Sequence, residues 1–139
     1  MYNKLIKLGL RFALALGFLS AVADRIGWWP PEASTWGNWE SFLAYTQVLN
    51  PLVPNSLIPT LGMIVTIVEV LLGLGLFLGF KTRLLAQLSG ALLLLFALAM
   101  TITTGIKGPL DYSVFSAAAA AFALSILKEQ YIELDQVIR

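Results

Sequence analysis

The chain contains neither cysteine nor histidine in its 139 residues. Without cysteine it carries no disulfide and no thiol chemistry. Without either residue it lacks the commonest ligands of haem, zinc and iron–sulfur clusters. No metal site is expected, and any redox cofactor has to bind without such ligands or sit on a partner. Charge is also scarce. Only 12% of residues are Asp, Glu, Lys or Arg, against about 25% in an ordinary soluble domain. A formal net charge of +1, with no basic cluster, leaves nothing to grip a phosphate backbone, so nucleic acid is excluded as a partner. The sequence has no internal period of about 20–50 residues. It has no linker and no low-complexity stretch beyond the alanines at 117–121, so residues 1–139 read as a single domain.

What is plentiful is apolar surface. Hydrophobic residues make up 58% of the chain and the mean hydropathy is +0.82. The longest uninterrupted example is TLGMIVTIVEVLLGLGLFLGF, residues 60–80. About 21 apolar or small residues suffice to cross a hydrocarbon core of roughly 30 Å. One charge, Glu69, sits near the middle. An ionisable group at that depth costs on the order of 2.5–3.5 kcal/mol on insertion scales. The helix therefore has to turn Glu69 toward another part of the protein. Gly62, Thr66, Gly73 and Phe80 recur with it at helical steps, and small residues let another helix approach closely.

Three more spans follow the same logic. The first covers about residues 5–23. Its basic start, apolar run and Ala21-Val22-Ala23 resemble a signal peptide, but Arg11 interrupts the run, and it reads as a transmembrane helix. Gly9, Ala13, Gly17, Ser20 and Asp24 line one face, a stripe suited to packing. The third span, about 84–104, follows the second through the short turn Lys81-Thr82-Arg83, which makes the two antiparallel neighbours. The turn GIKGPLD leads to the fourth, about 112–127. The tail beyond is mixed in charge and ends the membrane domain.

Between the first two spans, Trp28, Trp29, Pro30 and Pro31 close the first helix with interface aromatics and breakers. Residues 35–50, TWGNWESFLAYTQVLN, place apolar side chains at steps of three and four. They predict a short amphipathic helix lying in the membrane interface. That segment is either a cap on the bundle or a lid over a site. The expected fold is an all-α integral membrane protein: a four-transmembrane-helix antiparallel bundle with one interfacial helix between helices 1 and 2.

Lysine and arginine orient it. With both termini inside, Lys4, Lys7, Arg11, Lys81, Arg83, Lys128 and Arg139 fall on one side, and Arg25 and Lys107 on the other. The expectation is a multi-pass protein of the cell membrane, a bacterial inner membrane or its equivalent, with cytoplasmic termini.

Two constellations can carry chemistry. The intramembrane one is Glu69 with Arg11, Thr66 and Thr101. Arg11 lies about two turns into the first helix and is the expected cationic partner of Glu69. The pair either fixes helix packing or sets a proton-exchanging carboxyl beside a cavity. The outer one is Asp24, Arg25, Lys107, Asp111 and Tyr112, with Trp36 and Trp39 placed to cover them. It is either a set of solvated loop charges or a polar mouth for a headgroup or small anion. Gly75 and Gly79 form a GxxxG match, which speaks for packing.

Together, RFALALGFLSAVADR in the first span, VEVLLGLGLFLGFKTRLLAQLS across the second, its turn and the third, and the glycine-containing turn before the fourth resemble the DoxX family of small four-helix membrane proteins. The likeness covers about residues 4–127. It implies a four-helix membrane domain and an association with oxidoreductase systems, since the related DoxD proteins are membrane subunits of thiosulfate:quinone oxidoreductases. Glu69, Arg25 and Arg83 match the family's polar pattern. The resemblance implies a membrane subunit of an oxidoreductase complex rather than a self-sufficient enzyme, with no intrinsic cofactor, quinone as the contacted molecule, and partner subunits or a second copy of itself in the bilayer. The competing readings are a small-solute or proton permease and a structural or assembly subunit.

Overall fold

A computed structural model describes residues 1–138. The described residues are all helix and connection, with no strand. In chain order the helices are α1 (Tyr2–Arg25), α2 (Trp39–Leu49), α3 (Ile58–Leu78), α4 (Thr82–Thr104), α5 (Lys107–Asp111) and α6 (Val114–Ile126), with short 3₁₀ turns at Asn55–Leu57 and Leu134–Gln136. Arg139, counted above with the basic residues, lies outside the described residues.

Three helical stretches are long and apolar enough to cross a membrane: Tyr2–Arg25, Asn55–Leu78 and Thr82–Thr104. The last helix is shorter than the span expected at 112–127. A separate five-residue helix, α5, occupies the turn before it, and Ser113, at φ 56°, breaks the chain between them. The remaining 13 residues of α6 reach about 20 Å at 1.5 Å per residue.

The ends of the helices follow from local chemistry. α1 stops at Gly27, whose φ of 79° suits glycine, followed by Trp28, Trp29 and two prolines. Asn38 caps α2 by accepting from the Ser41 amide at 2.8 Å. Proline stands in the first turn of α3, where its missing N–H costs nothing, and Gly79 ends that helix in the left-handed conformation at φ 72°. Gly79 also lets the tail come close, since a methyl there would stand 2.7 Å from Glu133 Cα, and Gly75 faces Leu85 of α4 in the same way, so both glycines of the GxxxG match serve packing. The start of α4 is capped from far away: the Asp135 carboxylate accepts the amides of Lys81 at 2.6 Å and Thr82 at 2.8 Å.

The helices pack as a ring in which α1 touches α3 and α6, and α4 touches α3 and α6. One half of the ring is solid. Leu14, Ala15 and Phe18 of α1 meet Leu72 and Leu76 of α3, Ala86 of α4, and Ala121 and Leu124 of α6. Gly73 permits this approach: a methyl there would come 2.9 Å from Leu19 Cγ. The glycine face of α3 is as expected at Gly62, Glu69 and Gly73, which are buried, whereas Phe80 lies off it and is exposed.

The tail does not simply end the domain. Glu133, 5% exposed, docks between Lys7 at 3.0 Å and Arg11 at 3.7 Å. Asn3 and Lys7 hold Glu129 through its side chain and its carbonyl. The tail thus closes the end of the bundle formed by the start of α1, the end of α3 and the start of α4.

Candidate functional site

The other half of the ring is hollow. A chamber of about 980 Å³ is bounded by α1 from Ala13 to Arg25, by Leu61, Val65 and Glu69 of α3, by the second half of α4, and by Val114 and Ala117 of α6. Its roof is the segment between α1 and α3, with Trp36, Phe42, Tyr45 and Asn50 on the inner surface. A smaller cleft of about 430 Å³ at the closed end, beside Lys81, Arg83 and Asp135, lies on the surface and reaches no buried charge.

The chamber wall carries a buried ion pair, and its cation is not the expected one. Arg25 Nη1 stands 2.6 Å from Glu69 Oε2, with the two residues 1% and 3% exposed. Arg11 pairs instead with Glu133 and donates to the carbonyls of Leu76, Phe77, Tyr131 and Ile132. The physical reason is the direction of side chains on a helix, which lean toward its N-terminus. Arg25 ends α1, yet its guanidinium reaches back along the helix, where Nε donates to the Ala21 carbonyl at 3.3 Å. It thereby meets Glu69 from the outer end. Arg11, leaning the same way, is carried toward the tail.

Around the pair, Arg25 Nη1 donates to Thr66 Oγ1 at 2.8 Å, and that hydroxyl donates to the Gly62 carbonyl at 2.7 Å. The guanidinium carbon lies 3.9 Å from the Phe42 ring centroid and 5.3 Å from that of Trp36. These cation–π contacts replace part of the lost hydration. Glu69 is less well served. Oε2 is enclosed and engaged by Arg25 alone, and no hydrogen bond to the other carboxylate oxygen is formed among the described residues. A carboxylate offers about four acceptor sites. Glu69 therefore has acceptor capacity left over, on the wall of a cavity.

The two constellations read from the sequence are thus redistributed. Glu69 and Thr66 from the first join Arg25, Trp36 and Tyr112 from the second around one chamber. Asp24 also lines it, as a fastener of the roof: it accepts from the Thr35 amide at 3.1 Å and the Trp36 amide at 2.9 Å. Trp39 packs on Phe42 and over Gly62. Thr101 turns its hydroxyl back to the Ala97 carbonyl within α4. Lys107 and Asp111 pair with each other in the open, 86% and 56% exposed, away from the buried pair. Tyr45 and Phe42, marked in the sequence by nothing beyond their helical spacing, complete the roof. Tyr45 titrates above the ordinary tyrosine value because it is partly buried, with a smaller effect from Tyr112.

These features define a small all-α protein whose long apolar helices suit a membrane and whose buried Arg25–Glu69 pair lines one cavity. The chain matches no protein-family model, no curated protein and no solved structure.

Proposed function

We propose that this chain is a four-span membrane subunit of an oxidoreductase system and that its chamber holds a quinone. The observation that carries this reading is the Arg25–Glu69 pair, buried on the wall of an apolar and aromatic chamber. A quinone presents ring oxygens that accept hydrogen bonds, and its reduced form presents hydroxyls that donate them. A guanidinium serves the first and a carboxylate the second, side by side. Trp36, Phe42 and Tyr45 supply flat apolar surface for the ring. The chain's own residues would bind and orient the ring and exchange protons with it at Glu69. Electrons would come from a partner subunit. The resemblance to DoxX proteins points the same way, and in that setting both termini face the cytoplasm.

A channel-like permease needs a continuous path, unlike one that works by alternating access. Here the core of Leu14, Phe18, Leu72, Leu76 and Leu124 fills the other half of the ring, and Glu133 with Lys7 and Arg11 stops its end. A purely structural subunit has no need of a chamber.

The test is quinone titration of the protein in nanodiscs, read by tryptophan quenching. Saturable quenching is expected. Glu69→Gln should weaken it by about ten- to a hundredfold, since hydrogen bonds to charged groups contribute about 1.5–3 kcal/mol. Quenching that never saturates, or an affinity indifferent to both Glu69→Gln and Arg25→Gln, would overturn the proposal.

A further inference from the structure

The wall that α1 gives to the chamber behaves unlike the other small-residue contacts. Ala13, Gly17 and Ser20 line it, and Ala13 and Gly17 are exposed. Small residues on a membrane helix normally let a second helix come close. Gly62 and Gly73 do so: an added methyl would stand 2.6 Å from Leu43 Cδ2 at the first and 2.9 Å from Leu19 Cγ at the second. At Gly17 it would meet no heavy atom of the described residues within 4 Å. The stripe is therefore not a packing seam at this level. It borders an opening. Leu95, which lines the same chamber from α4, is 64% exposed. In a bilayer such surface faces hydrocarbon.

The roof is fastened instead. Trp29 Nε1 donates to the Ser20 carbonyl at 3.2 Å and to its hydroxyl at 3.1 Å, and Asp24 holds the amides of Thr35 and Trp36. The roof is thus fastened to α1, while the side at Gly17 and Leu95 lies open where a bilayer would be. On the chamber wall stands the Glu69 carboxylate, 3% exposed and paired with Arg25.

We infer that the chamber is filled sideways from the bilayer by a single-tailed amphiphile, whose hydrogen-bonding head rests at Glu69 and Arg25 and whose hydrocarbon tail leaves across Gly17, between α1 and α4. This rests on the reading of the chamber as a quinone site and adds the route and the requirement for a tail. A tail held in the slot contributes apolar burial that a bare ring lacks. For a ligand already dissolved in lipid that gain is small, and the slot acts by giving the tail somewhere to go. A side chain that fills the slot excludes the tailed ligand and spares the bare ring.

The experiment compares two probes in nanodiscs of zwitterionic lipid: a tail-less benzoquinone and the same ring with a long isoprenoid tail. Both are quantified by tryptophan quenching against their mole fraction in the membrane. Gly17→Leu should weaken the tailed quinone at least tenfold and leave the tail-less one within twofold. Gly9→Leu is the matched control, since a methyl there also meets nothing within 4 Å among the described residues and Gly9 does not line the chamber. It should change neither. If Gly17→Leu binds the tailed quinone as wild type does, or loses both probes equally, the lateral slot is refuted while the ring site survives. A Gly17→Leu protein that does not fold refutes the slot as well, because the position would not be open. If the wild type binds neither probe, the chamber reading and the slot fall together.

Discussion

The pairing of Arg25 with Glu69 predicts a thermodynamic coupling that can be worked from the geometry. Both side chains are almost fully buried, and removing one member of such a pair leaves an uncompensated charge, at a cost of about 3–5 kcal/mol. Glu69→Gln should fall below that range. The arginine it strands keeps Thr66 at 2.8 Å and the faces of Phe42 and Trp36, and each cation–π contact contributes about 0.5–2 kcal/mol. A loss of about 2–3 kcal/mol is expected. Arg25→Met removes those contacts as well as the charge and should cost about 3–5 kcal/mol. The double variant carries no stranded charge, only a buried amide with incomplete hydrogen bonds, at about 1–3 kcal/mol, together with the lost arginine packing. It should therefore be no worse than Arg25→Met alone, which places the coupling energy at about 2–3 kcal/mol, the upper end for residues in contact. The assay is unfolding in mixed micelles by SDS titration, followed by circular dichroism and tryptophan emission. Glu69→Gln/Arg11→Met is the control cycle and should be additive, because Arg11 is bound to Glu133 and backbone carbonyls instead. Additivity in the Arg25 cycle, or coupling in the Arg11 cycle, would refute the assignment of the pair.

Other consequences can be checked separately. Glu133→Gln leaves Lys7 and Arg11 buried without their carboxylate, so tryptic cleavage after the exposed Lys128 should accelerate at least tenfold; an unchanged rate would mean that the tail is held by something else. Gly73→Ala should destabilise by about 1–3 kcal/mol through overpacking against Leu19 and the Ala15 carbonyl, whereas Gly17→Ala should be neutral or stabilise by up to about 1 kcal/mol through helix propensity; the reverse order of melting temperatures would contradict the packing described. Tyr45 titrates above the usual value of about 10 because of burial and then Tyr112, so its contribution to stability is fully present below about pH 10 and is lost as pH rises through its raised value. Tyr45→Phe should flatten that part of the alkaline unfolding curve.

Much of the helix plan was legible because the transfer of apolar residues into hydrocarbon adds up along a span of about 20 residues and needs no knowledge of partners. The spans at 5–23, 60–80 and 84–104 lie within two residues or so of the observed long helices at each end, α1 aside, which starts three residues earlier. The fourth is harder, since its hydropathy continues through Tyr112 and Ser113 while the backbone does not. Pairing of charges was not legible from depth alone. Counting turns puts Arg11 near Glu69, but the lean of helix side chains carries Arg25 inward and Arg11 outward. Glu133 was the residue missed. A signal for it existed: two cations, Lys7 and Arg11, lie early in a membrane helix beside a single mid-span carboxylate, and a buried cation left over calls for an acid from elsewhere. No local pattern says which, because the acid that answers lies more than a hundred residues away in a tail of mixed charge.

The two buried arginines of α1 can be told apart by how fully they are satisfied. They stand fourteen positions apart, about 21 Å along a helix, with the packed layer of Leu14, Ala15 and Phe18 between them. Arg11 spends its guanidinium on four backbone carbonyls, two ending α3 and two in the tail, and meets Glu133 only at 3.7 Å. Such an arrangement ties chain segments together and leaves no donor facing a cavity. Arg25 spends its own on one threonine, one carbonyl of its own helix and a close carboxylate, with two aromatic rings beside it. The same helix thus carries a clamp at one end and an ion pair beside the chamber at the other, with a solid layer between them.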